Sequence, residues 1–131
     1  LDPTLQSAQR IALNNGYDSF LMFNVYAQRA TRPDDMERVC NSALHEENRK
    51  AFRYLLSLSE TPAIWAAWGN IIEKRDYLMD CMRDFAADGQ AANAQWFTAG
   101  PLLKSGHPHH PLYLKSTTAL QPFDIDAYLH R

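Results

Sequence analysis

The 131-residue chain has only two cysteines, Cys40 and Cys81. They lie far apart in sequence, lack the close spacing of a zinc-ligand pair, and do not amount to a disulfide framework. A reduced, cytoplasmic protein is therefore the expectation. No charge of one sign dominates: 13 Lys and Arg stand against 15 Asp and Glu, with a net charge of −2 and a pI of about 6.2. A broad basic nucleic-acid footprint is excluded, and any such contact must be local. No apolar run approaches the roughly 18 residues of a membrane helix, and no signal peptide is recognisable. With five glycines, the chain carries no Gly-rich phosphate loop, no nucleophile elbow and no metalloprotease helix motif. Repeats and low-complexity tracts are absent too.

What remains is the composition of a folded domain, 46% hydrophobic and 21% charged. The length suits a single domain over residues 1–131. A chain of this size buries about two thirds of its unfolded surface and needs no staples.

Helical periodicity predicts a first helix over residues 3–15, opened by Asp2 as N-cap and Pro3 as first helical residue, and stopped by Gly16. Phe20-Leu21-Met22-Phe23-Asn24 is an apolar run of buried-strand length, so residues 19–26 are expected to be a strand. A mixed stretch follows, with a loop at Arg29-Ala30-Thr31-Arg32-Pro33 and a capping Asp34. A helix is expected over 44–58, a strand over 63–68, and a long helix from Asn70 to Ala87, ended by Asp88-Gly89. Residues 95–99 read as a further strand and 100–111 as a Gly/Pro/His-rich loop. Leu112–Leu114 is expected to be extended, and a short helix follows Pro122 and ends at Leu129. Helices alternating with strands indicate an α/β fold, with a short, mainly parallel sheet covered on both faces in three α/β/α layers. Three strands make a thin sheet, and the chain opens directly on a helix cap. The expectation is therefore a further strand upstream of Leu1, with the domain N-terminally incomplete.

Ligands of open parallel sheets bind just outside the carboxyl ends of the strands. The distinctive polar groups fall along that edge: Asn24, Trp68-Gly69, and the loop His107-Pro108-His109-His110-Pro111. A side-chain amide offers one acceptor and two donors, matching the Watson–Crick edge of uracil or cytosine. Asn24 could equally tie down its own loop. His110 is suited to donate a hydrogen bond to developing negative charge. The alternative is a loop stiffened by Pro108 and Pro111 whose histidines are merely solvated. A metal site from His107, His109 and His110 is not expected, because the prolines limit ring convergence and no carboxylate or thiol joins the set. Arg29, just past Asn24, is a candidate phosphate fork, with an ion pair to Asp34, Asp35 or Glu37 as the alternative. Trp65 and Trp68, three apart, face opposite sides of a strand and are expected in the core. Gly69 permits either close backbone approach to a ligand or a tight turn.

The order of several of these segments resembles a bacterial and phage family registered as a domain of unknown function, DUF1643. The matching segments are Asp2-Pro3-Thr4, Asn24 followed by Arg29-Ala30-Thr31, Ala66-Ala67-Trp68-Gly69, and Lys104-Ser105-Gly106-His107-Pro108 leading to His110-Pro111-Leu112-Tyr113-Leu114. More remotely, the layout is similar to the uracil-DNA glycosylase superfamily. In that family an apolar strand ends in asparagine, a later one ends in Leu-Trp-Gly, and a late loop carries a His-Pro core. That likeness implies a parallel sheet between helices with a nucleobase pocket at the strand ends. Its counterparts here are Asn24, Trp68-Gly69 and His110-Pro111 (His107-Pro108 being the second choice). It further implies that Asn24 and Gly69 contact a base, that Arg29 or Lys104 contacts phosphate, and that His110 stabilises a leaving group during hydrolysis of a glycosidic bond. The ligand implied is a nucleobase-containing molecule or single-stranded nucleic acid, with no cofactor. The water-activating role of an aspartate-proline pair is not carried over to Asp2-Pro3, since Asp2 opens a helix. The rival expectations are a binding module without chemistry and a protein-interaction domain.

Overall fold

The computed structural model describes residues 2–28 and 32–131. It contains α1 (Pro3–Asn14), α2 (Ser42–Leu56), β1 (Ala63–Trp65), α3 (Tyr77–Ala91), β2 (Gln95–Ala99), β3 (Leu120–Pro122) and α4 (Ile125–Leu129), with 3-10 turns at Pro33–Asp35 and Gly69–Glu73. The fold is mixed α/β. β1 and β2 pair in parallel, with Ile64 opposite Trp96; β2 and β3 pair antiparallel, with Thr98 opposite Gln121. None of the helices among the described residues is long and apolar enough to cross a membrane.

Helix starts follow local chemistry. Asp2 accepts the Thr4 N–H at 2.8 Å, and Pro3 occupies the first turn, where its missing N–H costs nothing. Asn41 accepts the Leu44 N–H at 3.1 Å, and Asp124 accepts the Ala127 N–H at 3.0 Å. At the far end of α1, Asn15 donates to the Thr118 carbonyl at 2.9 Å and accepts the Leu120 N–H at 2.9 Å. This fixes the first helix to the segment leading into β3.

α2 and α3 pack together through Phe52 and Phe85, whose rings lie 5.0 Å apart. The pairing is reinforced by Asp88. Its carboxylate is nearly buried and accepts from Arg49 Nε at 3.0 Å and Nη2 at 2.8 Å. A carboxylate removed from water needs such a partner.

Asp88-Gly89 does not end the helix, as the sequence had suggested. α3 runs on to Ala91 and closes in a Schellman turn, with Asn93 at φ +59° and the Ala94 N–H on the Gly89 carbonyl at 2.9 Å. Gly89 is inside the helix because Trp96 packs against it. A Cβ there would sit 3.2 Å from the indole Nε1.

Four other expectations are corrected. The stretch over 19–26 is not a strand. Leu21 and Met22 are 68% and 53% exposed, and no described residue offers this stretch a ladder. Phe23 and Tyr26, three apart, anchor it instead: Phe23 against Phe52 and Phe85, and Tyr26 against Tyr77. The helix expected from Asn70 is a 3-10 turn, then α3, with Ile71 exposed and Ile72 buried. Leu112–Leu114 is a turn in which Tyr113 takes φ +71°. The sheet, expected to be mainly parallel, is mixed: β1 and β2 pair in parallel, and β3 returns antiparallel beside β2.

Candidate functional site

β1 and β2 run parallel, so their carboxyl ends open on the same edge of the sheet. The chain leaves β1 through Ala66-Ala67-Trp68 into the turn Gly69–Glu73, and leaves β2 through Gly100 into the 100–111 loop. Three hydrogen bonds join these exits. The Gly69 N–H donates to the Pro108 carbonyl at 3.0 Å, Ser105 Oγ donates to Asn70 Oδ1 at 2.5 Å, and His107 Nε2 meets Glu73 Oε2 at 2.5 Å.

His107 is 2% exposed, and its contacts determine its tautomer. Arg131 Nη2, a donor only, lies 3.1 Å from Nδ1, so Nδ1 accepts. Nε2 then carries the proton and donates it to Glu73. The Tyr128 hydroxyl, 2.7 Å from Nδ1, is the second donor there, and it accepts the Trp68 Nε1–H at 3.0 Å. Burial pushes the Tyr128 phenol up, so it stays protonated. Every bond in the chain Trp68–Tyr128–His107–Glu73 thus runs in one direction, from half-buried indole to exposed carboxylate. The Arg131 guanidinium also lies over the Tyr128 ring, 4.6 Å from its centroid, and donates to the Ser105 carbonyl at 2.7 Å.

His110 stands apart from this network and is exposed. Its Nδ1 accepts the Leu112 N–H at 3.3 Å, which leaves the proton of the neutral ring on Nε2. Partial burial, and secondarily His109, lower its pKa from the usual 6.5, while the charge of Asp2 acts in the opposite direction. His109 turns its Nδ1 onto the His110 carbonyl at 2.5 Å.

The structure brings Gly69 and His110 together: a Cβ on Gly69 would lie 3.9 Å from that of His110. Glycine is needed at position 69 for its φ of +62°, and its N–H is already spent on Pro108. Lys104 is exposed at the tip of the tight turn closed by the Gly106 N–H on the Leu103 carbonyl at 2.8 Å. Asn24 is exposed. Its carbonyl accepts Asn48 Nδ2 at 3.0 Å, and its side-chain amide makes no hydrogen bond among the described residues. No described contact joins Asn24 to His110. Arg29, the candidate phosphate fork, lies outside the described residues. Trp68 joins the core through Trp96, Phe123 and Tyr128, and Trp65 is half-buried with an indole N–H that finds no partner among the described residues.

Sequence reasoning ranked His107 below His110 and did not single out Glu73, Tyr128 or Arg131. The one available signal was the doubled His-Pro, at 107–108 and 110–111, which allows one histidine to be buried and the other presented.

No curated protein and no solved structure matches the chain. The family DUF1643, described as protein of unknown function, matches residues 1–112, a span that includes β1, β2 and the His-Pro loop. The chain belongs to the DUF1643 family.

Proposed function

We propose that this chain is a glycosylase-like domain that binds a nucleobase-containing ligand, a nucleotide or single-stranded nucleic acid, at the carboxyl edge of β1 and β2. In its enzymatic form it hydrolyses a glycosidic bond in the cytoplasm. The finer architecture belonging to this reading is a three-layer α/β/α domain of the uracil-DNA glycosylase type.

The observation that carries the reading is the state of His110. Its ring is held toward the neutral form, its proton sits on Nε2, and it stands at the strand-end edge where α/β ligands bind. A neutral imidazole donating from Nε2 stabilises negative charge on a departing base without first surrendering a proton. Asn24 supplies the amide that reads the base, and its side chain is unengaged within the described fold. Lys104 is the phosphate contact, assisted by Arg29. Gly69 shapes the floor beneath His110.

Thermal shifts with free bases, nucleotides and short single-stranded DNA test the reading, using wild type, Asn24→Ala and His110→Ala. A ligand at 100 times its Kd stabilises by about 2.7 kcal/mol. The expected result is a shift with one ligand class that disappears in Asn24→Ala. Full binding in the double variant would overturn it. Base release from the bound ligand distinguishes the enzyme from a module that binds without chemistry. A steep loss of affinity with salt identifies a polymer rather than a free base.

A further inference from the structure

The two thiols lie far apart in sequence, yet the fold brings them together in a place unrelated to the His-Pro loop. Tyr77 and Cys81 are four residues apart on α3 and so occupy one helix face. The Tyr77 hydroxyl donates to the Glu37 carbonyl at 2.6 Å. Just before the helix, Arg75 donates to the carbonyls of Asp34 at 3.0 Å and Met36 at 2.7 Å. From the other side, the Asn41 N–H donates to the Tyr26 hydroxyl at 2.7 Å, and that hydroxyl donates to Glu37 Oε2 at 3.1 Å. The segment 34–41 is thereby pinned along α3, and Cys40, next to Asn41, packs against the core cluster that contains Cys81. Cys40 is near enough there for its charge to act on both Tyr77 and Cys81. Cys81 is 2% exposed, while Cys40 is half-buried and reachable from solvent.

We propose that Cys40 and Cys81 form a peroxide-responsive dithiol site, in which an intramolecular disulfide locks the 34–41 segment onto α3. The order of events follows from accessibility. The Cys40 thiolate attacks one peroxide oxygen, the O–O bond breaks, hydroxide leaves and Cys40 becomes a sulfenic acid. The Cys81 sulfur then attacks the Cys40 sulfur, the S–O bond breaks, and the Cys81 proton departs with the hydroxyl as water. Overall two thiols are oxidised and one peroxide is reduced to two waters. Burial, and then the neighbouring Cys40, push the Cys81 thiol up to about 12. Cys81, 2% exposed, is therefore quiet toward solvent oxidants, and it reacts once Cys40 has been oxidised.

This inference is independent of the nucleobase reading, and so is its test. The reduced protein is treated with hydrogen peroxide, alkylated with N-ethylmaleimide under denaturing conditions, and mapped by peptide mass spectrometry without reductant. The expected result is a monomer lighter by two hydrogens, both thiols protected, and one peptide pair linking Cys40 to Cys81. Thioredoxin or dithiothreitol should restore both thiols. In Cys81→Ala the Cys40 sulfenic acid should persist and be trapped by dimedone. Cys40 oxidised to the sulfinic acid while Cys81 still takes the alkylating agent would overturn the proposal, as would disulfides between two chains only. The wild-type mapping decides the matter even if Cys81→Ala does not fold.

Discussion

The loop at 100–111 and the stretch at 19–28 both carry a polar residue singled out for the same edge of the sheet, yet they are held by different physics. The loop is fixed by directed polar contacts from distant parts of the chain: Glu73 and Asn70 from the turn after β1, Tyr128 from α4, and Arg131. The earlier stretch is held mainly by two aromatic anchors, Phe23 and Tyr26, with Leu21 and Met22 left in solvent. A polar network fixes orientation, because each hydrogen bond has a direction and an unmade one is costly when buried. Aromatic anchors fix depth and leave the backbone between them free of a ladder. His110 therefore has a defined tautomer, whereas the Asn24 amide has none of the bonds that would orient it.

The largest expected effect in testing this contrast is at His107. His107→Ala removes the centre of the network, strands the Tyr128 hydroxyl and Glu73, and opens a cavity. A loss of about 3–4 kcal/mol in urea unfolding is expected. A loss under about 1 kcal/mol would mean that the loop is held by its prolines and not by the network. Next comes Phe23→Ala, which deletes a half-buried ring against Phe52 and Phe85. About 2–3 kcal/mol is expected, and hydrogen exchange should accelerate over residues 19–28 while the 100–111 loop stays protected. Matching acceleration in both regions would erase the distinction.

Gly106→Ala sharpens the comparison from the loop side. Gly106 has φ +86°, and a Cβ there collides with Arg131 Nη1. A loss of about 1–2 kcal/mol is expected, partly recovered in a background that already carries Arg131→Ala. Stability unchanged by Gly106→Ala would show that Arg131 does not hold the loop.

The smallest effect is the pH dependence at His110. Its folded pKa lies below 6.5, so in acid the unfolded chain takes up this proton before the folded one does. Stability from this group is therefore complete above about pH 6.5 and declines as pH falls toward the folded pKa. An NMR titration of the His110 ring should give a midpoint below 6.5, and the acid-side slope of stability should flatten in His110→Asn. A midpoint above 6.5 would make Asp2, rather than burial, the stronger influence on this ring.

The helices were largely legible in the sequence, because their signals are local. Asp2-Pro3 opens α1, the apolar stripe ending at Leu56 marks α2, and Pro122 precedes α4. β1 and β2 were legible as apolar runs bounded by breakers, although β1 ends at Trp65 and Trp68, expected within it, leads into the 3-10 turn. The run Phe20–Phe23 carried the same signal without becoming a strand, since no described neighbour pairs with it. β3 was missed because Leu120-Gln121-Pro122 shows no apolar alternation and owes its state to β2 beside it. Asp88-Gly89 was misread as a stop because both residues answer to partners beyond the helix, Arg49 and Trp96.

The sequence by itself therefore determined where helices begin, which runs are apolar enough for β1 and β2, and that the His-Pro loop follows β2. The helix starts and the apolar runs follow from side chains acting within a few residues. Only the tertiary structure decided which histidine of the doubled His-Pro is buried and which is presented, and that Cys40 packs against the core cluster that contains Cys81. Both outcomes depend on partners tens of residues away. Tyr128, Glu73 and Arg131 enclose His107, while Arg75 and Tyr77 draw the 34–41 segment onto α3. Burial and hydrogen-bond direction do not exist until those distant groups arrive.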